Sequence, residues 1–269
     1  MALPAFNDHV GHAKLSPLTE PSHPGVPIAD WLSGVSSGRE RASVRVLDVG
    51  CGKGGTVAWL LDQGFDAYGI DVSPDYIANG RAYLGADRLA VLDSDRYPYP
   101  DNHFDIVISD QVFEHVADLP QLATEIARTT RPGGIGLHVF PAKWIFTEPH
   151  LLAPVVHWLP KGHTRRSAIR FMLRTGRAAP YFTEWPLAER TAIFAQYSDT
   201  ETFYRHPSEI RRVFESVGVS VDYREASEAR VLLKLGNPPL PAPVRRLAAW
   251  AYRTTRVMSM TTVKPARPA

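Results

Sequence analysis

The chain has 269 residues, of which 44% are hydrophobic and 22% charged, a composition typical of a globular protein with one sizeable core. Its single cysteine excludes an internal disulfide and a multi-cysteine metal site, which fits a reducing compartment. No apolar run approaches the roughly 20 residues that span a bilayer, and no secretory signal is recognisable, so we expect a cytoplasmic protein.

The net charge of +2 conceals an uneven distribution along the chain. Residues 1–142 contain 10 basic and 18 acidic residues, whereas residues 143–269 contain 20 basic and 10 acidic residues. A basic C-terminal half fits an anionic acceptor, a membrane surface or nucleic acid, and it equally fits a solvated surface without a partner. Net charge alone does not select among these interpretations.

Residues 1–43 predict a loosely structured lead-in with one short helix near Ile28–Ser33. Beyond them, short apolar runs alternate with helical patterns. The predicted strands are Val44–Val49, Ala67–Asp71, Leu89–Asp93, Phe104–Ser109 and Ile135–Phe140. The predicted helices are Thr56–Gln63, Pro74–Leu84 (with Ser73 as its N-cap) and Leu119–Thr130. This alternation predicts βαβ units and a parallel sheet with helices on both faces.

The alternation stops at residue 143. Residues 143–205 are rich in Pro, Trp and Arg and predict an insertion with short helices such as Arg165–Arg174. The remaining predicted elements are a helix at His206–Val217 capped by Ser208, strands at Ser220–Glu225 and Val231–Leu235, a basic amphipathic helix at Pro243–Val257, and an edge strand at Met258–Val263.

The predicted fold class is α/β: a Rossmann-like, doubly wound, mostly parallel seven-stranded sheet with an inserted helical lid after strand five. The segments are a lead-in at 1–43, a ligand-binding core at 44–142, an acceptor lid at 143–205 and a C-terminal completion of the sheet at 206–269. Ligands of such sheets bind beyond the carboxyl ends of the strands, so the residues after each strand are the candidate site.

The strongest motif is the glycine-rich stretch that follows the first strand. Its spacing, Gly50-x-Gly52-x-Gly54, is tighter than the dinucleotide pattern, and Lys53 is not followed by the Ser or Thr of a P-loop. Glycines let the backbone turn sharply and approach a ligand, and the amides of the next helix then face that ligand.

Acidic residues follow the next two strands. Asp71 lies about 20 residues beyond the glycines, the distance at which a carboxylate can accept hydrogen bonds from ribose hydroxyls. Asp93 and Ser94 follow the third strand, where they can meet the edge of a base. Each residue alone fits a turn or a cap, but the set at successive strand ends favours a nucleoside pocket.

The stretch from Val46 to Gly134 resembles the class I S-adenosylmethionine-dependent methyltransferases, in particular the small-molecule group. The residues that carry the resemblance are Val46–Gly55, Gly69–Ser73, Asp93 with Pro98–Asp101, Phe104–Ser109, Glu114-His115-Val116 and Arg131–Gly134. Tyr97 and Tyr99 replace the family's usual Leu and Phe.

The resemblance implies a role for each strand end. Residues at the methionine end of S-adenosylmethionine would be Asp48, Gly50 and Gly52, and Asp71 with Val72 would hold the ribose. Asp93 and Ser94 would hold the adenine. Ser109, Asp110 and Gln111 would lie beside the methionine moiety and the transferred methyl. The implied product is S-adenosylhomocysteine, and no metal is expected.

Transfer of an activated methyl needs orientation rather than a covalent nucleophile, but a hydroxyl acceptor needs a base. His150 and His157 lie in a stretch that resembles an E-P-H…W-L-P segment of bacterial methyltransferases near glycan or lipid pathways. His150 is therefore the preferred base. His115 is the second candidate, with a structural role in the pocket wall as its alternative, and His138 inside strand five is expected to be a core residue.

The acceptor is expected to be a small molecule or a glycan-like compound, methylated on a hydroxyl or amine. The insertion's aromatic residues fit an acceptor pocket or the insertion's own core, and its arginines Arg165, Arg166, Arg170, Arg174 and Arg177 fit an anion-binding face or a solvated helix surface. An RNA methyltransferase and a non-catalytic binding protein remain as alternatives, although no RNA-binding module is recognisable and nucleic acid is not expected. Weak membrane-surface contact remains open for Pro243–Val257, and the oligomeric state is unknown.

Overall fold

A computed structural model describes residues 3–7, 16–223 and 241–266 of the chain. The lead-in contains helix α1, Gly25–Val35, which includes the predicted short helix and extends it at both ends. The predicted strand at Val231–Leu235 lies outside the described residues. Within the described ranges, no helix has the length and apolar content needed to cross a lipid bilayer.

The alternating elements form in the predicted order, with ends that shift by no more than two residues, whereas the fifth strand begins at Thr130, five residues before its predicted start. The parallel strands are β1 (Arg45–Val49), β2 (Asp66–Asp71), β3 (Leu89–Val91), β4 (Phe104–Asp110) and β5 (Thr130–Pro141). The helices between them are α2 (Gly55–Asp62), α3 (Pro74–Leu84) and α4 (Leu119–Thr129). The Ser73 hydroxyl caps α3 by accepting a hydrogen bond from the amide of Tyr76.

The hairpin β6 (Thr147–Glu148) and β7 (Ala153–Pro154) follows β5. Farther along lie α5 (His163–Arg174), α6 (Leu187–Thr200), α7 (Pro207–Ser216), β8 (Ser220–Asp222), α8 (Ala242–Thr255) and β9 (Val257–Val263). Among the described residues, the main sheet has seven strands in the order β3-β2-β1-β4-β5-β9-β8, and β9 runs antiparallel to both of its neighbours. The fold is therefore the predicted Rossmann-like α/β fold.

Helices cover the sheet on both faces because its central strands are apolar on both sides. One face packs against α1, α2 and α3 through residues that include Leu32, Leu60 and Ile77. The other face packs against α4 and α7 through Ile126 and Phe214. The two helix layers pack the strands from both sides, and the ends of these strands carry the candidate site.

Two details of the C-terminal prediction are wrong. The strand predicted at the sheet edge lies inside the sheet, because β9 pairs with β5 on one side and with β8 on the other. The side chains of Met258 and Met260 in β9 are buried, as expected for a strand inside the sheet. Ser208 is not the cap of α7. The His206 ring accepts a hydrogen bond from the amide of Ser208, so His206 is the N-cap and the helix starts at Pro207.

The basic helix α8 leaves the side chains of Leu247 and Trp250 65% and 54% exposed.

Residues 143–205, called the lid segment here, build a separate apolar cluster. The cluster includes Leu151 from the β6–β7 hairpin, Ile169 from α5 and Phe194 from α6, and Phe6 of the lead-in is buried within it. Phe6 stacks on Tyr197 with 4.2 Å between ring centroids. Part of the lid segment's aromatic content therefore forms its own core.

Arg165 is buried in the lid segment and is not part of an anion-binding face. Its guanidinium donates to the carbonyl oxygens of Leu159 and Ser198, and it is 7% exposed. The other four arginines singled out in the sequence are exposed, as a solvated surface requires.

Replacing Arg165 by methionine is expected to lower the free energy of unfolding by about 2–4 kcal/mol, because several buried carbonyl oxygens lose their donor. Urea unfolding checks this value, with Arg166→Met as the matched control on the exposed face of the same helix. A loss in Arg165→Met no larger than in Arg166→Met would contradict the structural role.

Candidate functional site

The carboxyl ends of β1, β2 and β3 lie side by side and are joined by main-chain hydrogen bonds. The amides of Gly50 and Cys51 donate to the carbonyl oxygen of Ile70 at 2.8 and 3.0 Å. The amide of Leu92 donates to the carbonyl oxygen of Asp71 at 2.9 Å. The structure thus brings together the three strand ends that the sequence singled out.

The glycine loop uses backbone conformations that favour glycine. Gly50, Gly52 and Gly54 have φ of 73°, 54° and 80°. A Cβ at Gly50 would overlap the Val112 side chain, whereas a Cβ at Gly52 would meet nothing within 4 Å. The backbone at Gly52 therefore faces open space, in which a ligand can approach it closely.

Asp71 at the end of β2 fixes the loop in this shape. One carboxylate oxygen accepts a hydrogen bond from the amide of Gly52 at 2.9 Å, and the other accepts one from the amide of Ser73 at 2.8 Å. Each carboxylate oxygen has two lone pairs, so both retain capacity for hydroxyl donors of a ligand. Val72 beside it is 70% exposed, an apolar side chain at the same strand end.

Three carboxylates form the electrostatic centre of this edge. Burial is the largest cause that raises the pKa of Asp48 well above its ordinary value, followed by the charges of Asp110 and Asp71. Like charges held together in a partly buried site repel one another, and a cationic ligand relieves that repulsion. The edge is therefore suited to a ligand with net positive charge near Asp48.

The remaining predicted cofactor residues differ in whether they lie at the open strand ends or in the core. Asp93 and Ser94 are exposed just beyond β3, at the expected strand end. Gln111 follows β4 with a left-handed φ of 55°, and its main-chain amide donates to the carbonyl oxygen of Val139. Ser109 is 1% exposed and its hydroxyl lies 2.9 Å from Nδ1 of His138, so it is turned into the core and not toward the strand ends. His138 is the core residue that the sequence predicted.

The lead-in forms one wall of a cleft beside the glycine loop, a role that its composition did not indicate. The cleft has a volume of about 470 Å³ and lies between residues 17–22 and the stretch from Cys51 to Thr56. The amide of Ser22 donates to the carbonyl oxygen of Gly55, and Nζ of Lys53 donates to the carbonyl oxygen of Ser16. These bonds tie the lead-in to the loop.

His150, the preferred base, lies in the turn of the β6–β7 hairpin, where Glu148 fixes its ring. Nδ1 of His150 donates to the Glu148 carboxylate at 2.8 Å. The same carboxylate accepts hydrogen bonds from the Tyr204 hydroxyl and from the amide of Leu151. Glu148 is 1% exposed, so this buried carboxylate is fully engaged by donors from the lid segment.

His115, the second candidate, lies at the end of a short 3₁₀ turn after β4. Its Nδ1 donates to the carbonyl oxygen of Glu201 at 2.9 Å. The structure brings it against His150, with 4.8 Å between the ring centroids. Its neighbour Glu114 is 2% exposed, and neither of its carboxylate oxygens has a hydrogen-bond partner in the part of the chain that the structure describes. Glu114, His115, Glu148 and His150 are called the Glu–His cluster below.

Burial and mutual charge set the pKa values of this cluster. Burial raises the pKa of Glu114 to about 7 and lowers that of His115 below its ordinary value. Burial opposes ionisation of Glu148 and His150 too, but their mutual hydrogen bond and charge outweigh it, so the pKa of Glu148 is lowered and that of His150 raised. The Asp110 charge acts on both Glu114 and Asp48, so the cluster adjoins the acidic strand ends.

Arg205, which the sequence analysis missed, joins the lid segment to the core. Its guanidinium donates to the carbonyl oxygens of Phe113, Val116 and Ala117, which surround the 3₁₀ turn. No local pattern marks this arginine, because its acceptors are main-chain carbonyls 88, 89 and 92 residues earlier in the chain. Glu148 is the acidic residue of the E-P-H stretch, two positions before His150, but that stretch did not indicate that its carboxylate holds the His150 ring.

The lid segment also presents exposed aromatic rings. Trp144, Phe146 and Trp158 are 42%, 61% and 42% exposed, and the Trp158 ring lies against each of the other two. His157 lies between this aromatic patch and Tyr204, and burial lowers the pKa of its imidazole to about 4. The segment thus divides its aromatic residues between its own core and a surface beside the Glu–His cluster.

Comparisons with known proteins agree on the central region. Residues 47–137 match a family model described as a methyltransferase domain. The chain is 35% identical over 109 residues to a probable chloroplastic tocopherol O-methyltransferase of Oryza sativa, which covers 38% of this chain and 30% of that protein. It is 38% identical over 94 residues to the 2-methyl-6-phytyl-1,4-hydroquinone methyltransferase of Synechocystis, which covers 34% and 30%. The matches thus span about a third of these relatives' lengths.

The fold as a whole is shared with solved structures. Phosphoethanolamine N-methyltransferase 2 of Haemonchus contortus, in complex with S-adenosyl-L-methionine, superposes with a TM-score of 0.55 at 17% identity, over 98% of this chain and 61% of that one. The similarity at this identity concerns the fold. The family model covers the glycine loop and the ends of β2, β3 and β4.

Proposed function

We propose that the chain is a class I S-adenosylmethionine-dependent methyltransferase and that it transfers a methyl group to a hydroxyl or amine of a small-molecule acceptor, and the match of residues 47–137 to a methyltransferase domain supports this proposal. S-adenosylmethionine is the cofactor of the family, and it supplies a sulfonium methyl that is already activated. The residues of this chain then have three tasks: to bind the cofactor, to orient the acceptor and to accommodate the acceptor's proton.

The observation that carries the proposal is the acidic, glycine-lined edge at Asp48, Asp71 and Asp110. S-adenosylmethionine carries an ammonium and a sulfonium against one carboxylate, so its net positive charge matches this edge. The open backbone face of Gly52 allows close approach, and Asp71 retains lone pairs for the ribose hydroxyls. Val72 provides an apolar contact for the nucleoside.

The acceptor is proposed to bind between the strand ends and the lid segment, against the Glu–His cluster. Two relatives are named for methylation of tocopherol and of 2-methyl-6-phytyl-1,4-hydroquinone, which supports a small-molecule acceptor here. The exposed rings of Trp144, Phe146 and Trp158 suit an apolar or sugar-bearing compound. His150 of the lid segment is the proposed base. Glu148 accepts the hydrogen bond from its Nδ1, which leaves the lone pair of Nε2 to accept the acceptor's proton.

Calorimetry with S-adenosylmethionine and S-adenosylhomocysteine tests the first half of the proposal, and one cofactor bound per chain is expected. Transfer of a labelled methyl group to a panel of phenols, quinols, sugars and amines tests the second half. Failure to bind either compound would overturn the assignment.

Cofactor affinity is expected to weaken as the pH falls and Asp48 takes up a proton. Burial first, then the charges of Asp110 and Asp71, hold the pKa of Asp48 well above 3.8, so protonation begins at a pH higher than usual for a carboxyl. A neutral Asp48 no longer attracts the cationic cofactor, so the Kd should be higher in a titration at acidic pH than in one at neutral pH.

Calorimetric titrations at both pH values check this expectation. Asp48→Asn serves as the control, because an amide of the same shape cannot titrate and should bind weakly at both pH values. A wild-type Kd that is the same at both pH values would remove Asp48 from the cofactor site.

A further inference from the structure

Glu114 is a buried carboxyl group that faces the two histidines of the Glu–His cluster. It is 2% exposed, and both of its oxygens lack a hydrogen-bond partner among the described residues. Burying such a group unpaired costs free energy, and native structures seldom retain it without a functional reason. Oε1 of Glu114 lies 4.0 Å from Nε2 of His115, so the carboxyl group is turned toward the two histidines.

Both histidines are held through Nδ1. His115 donates from Nδ1 to the carbonyl oxygen of Glu201, which can only accept, and His150 donates from Nδ1 to the Glu148 carboxylate. A neutral imidazole that donates from Nδ1 carries its lone pair on Nε2. A carbonyl or carboxylate behind Nδ1 is the usual support of a metal-bound histidine, because it fixes the tautomer and the ring orientation.

We propose that Glu114, His115 and His150 bind one divalent transition-metal ion. One donor atom from each residue lies within 4.8 Å of the others, and the set of two imidazoles and one carboxylate suits zinc, iron, cobalt or manganese. Donors that share such an ion stand about 2.0–2.2 Å from it, so the three side chains close inward by about 1 Å on binding. Glu114 and Glu148 together supply two negative charges that balance the ion.

Three protein ligands leave positions open for an acceptor oxygen. The inference rests on the proposed function, and it narrows the acceptor to one with a hydroxyl. The ion lowers the pKa of a hydroxyl bound to it, and the proton passes to solvent. The acceptor oxygen then forms the bond to the methyl carbon, the carbon–sulfur bond breaks, and its electron pair stays on sulfur. His150 is a metal ligand in this arrangement, which departs from the sequence-based expectation of a metal-free enzyme with His150 as base.

Cobalt(II) is the probe for the test, since its visible absorption bands report imidazole and carboxylate ligands directly. The full chain, without an affinity tag and stripped by a chelator, is titrated with Co²⁺ alone. We expect one ion per chain, with affinity at least tenfold weaker in Glu114→Gln and in His150→Gln. His115→Gln provides an independent removal of a ligand. His163→Gln, at the exposed start of α5, is the matched control and should bind as the wild type does.

The metal site would be overturned if the wild type bound Co²⁺ no more tightly than Glu114→Gln does. It would also be overturned if the cobalt absorption bands disappeared in the control variant His163→Gln. Calorimetry with S-adenosylmethionine on the same metal-free samples shows that each variant is folded and separates the two proposals. Cofactor binding without a specific cobalt site refutes the metal alone, and a cobalt site without cofactor binding refutes the methyltransferase assignment.

Discussion

Turnover is expected to fall by about 10²- to 10⁴-fold when His150 is replaced by alanine, while the affinity for S-adenosylmethionine stays unchanged. His150 belongs to the lid segment and contacts Glu148 and His115, whereas the proposed cofactor residues lie at the strand ends. Loss of its imidazole removes a base or a metal ligand at the acceptor, and neither change touches the glycine loop. Single-turnover methyl transfer and cofactor calorimetry measure the two quantities separately.

His163→Ala is the matched control for this substitution. It removes an exposed histidine from the same lid segment, away from the Glu–His cluster, and should leave turnover at the wild-type value. An unaffected rate in His150→Ala would remove the residue from the chemistry. A parallel loss of cofactor affinity would show that the lid segment shapes the cofactor site as well.

Asp71→Ala is expected to weaken cofactor binding by about 1.5–3 kcal/mol, or roughly 10- to 150-fold in Kd. Two effects act together, because the carboxylate holds the amides of Gly52 and Ser73 and is the proposed acceptor for the ribose hydroxyls. The variant loses both the anchor of the glycine loop and the ligand contact.

Asp75→Ala removes an exposed carboxylate from the first turn of the adjoining helix α3 and is the control for general charge. Adenosine, which lacks the methionine part, separates the two effects. If the ribose contact is lost, adenosine binding weakens as well. Equal cofactor affinity in Asp71→Ala and the wild type would contradict the assignment of this strand end.

The sheet and the meeting of its strand ends at Gly50, Asp71 and Asp93 could be predicted because their signals are local. The apolar run before Gly50 and the acidic residue after the run at Gly69-Ile70 each specify a strand and its end within a few residues. Parallel strands joined by helices must then place their carboxyl ends on one edge. The error at β9 has the opposite origin, because a strand's position in a sheet depends on partners far away in the chain.

The sequence by itself determined the α/β class, the glycine loop and the acidic strand ends, since helix and strand periodicity and backbone freedom at glycine are properties of neighbouring residues. Only the tertiary structure decided that Ser109 turns toward His138, and that His115 and His150 meet beside the unpaired Glu114. The contact of Ser109 with His138 and that of His115 with His150 join residues 29 and 35 positions apart. Side-chain direction, burial and charge at such contacts are set by packing between elements, which no local pattern records.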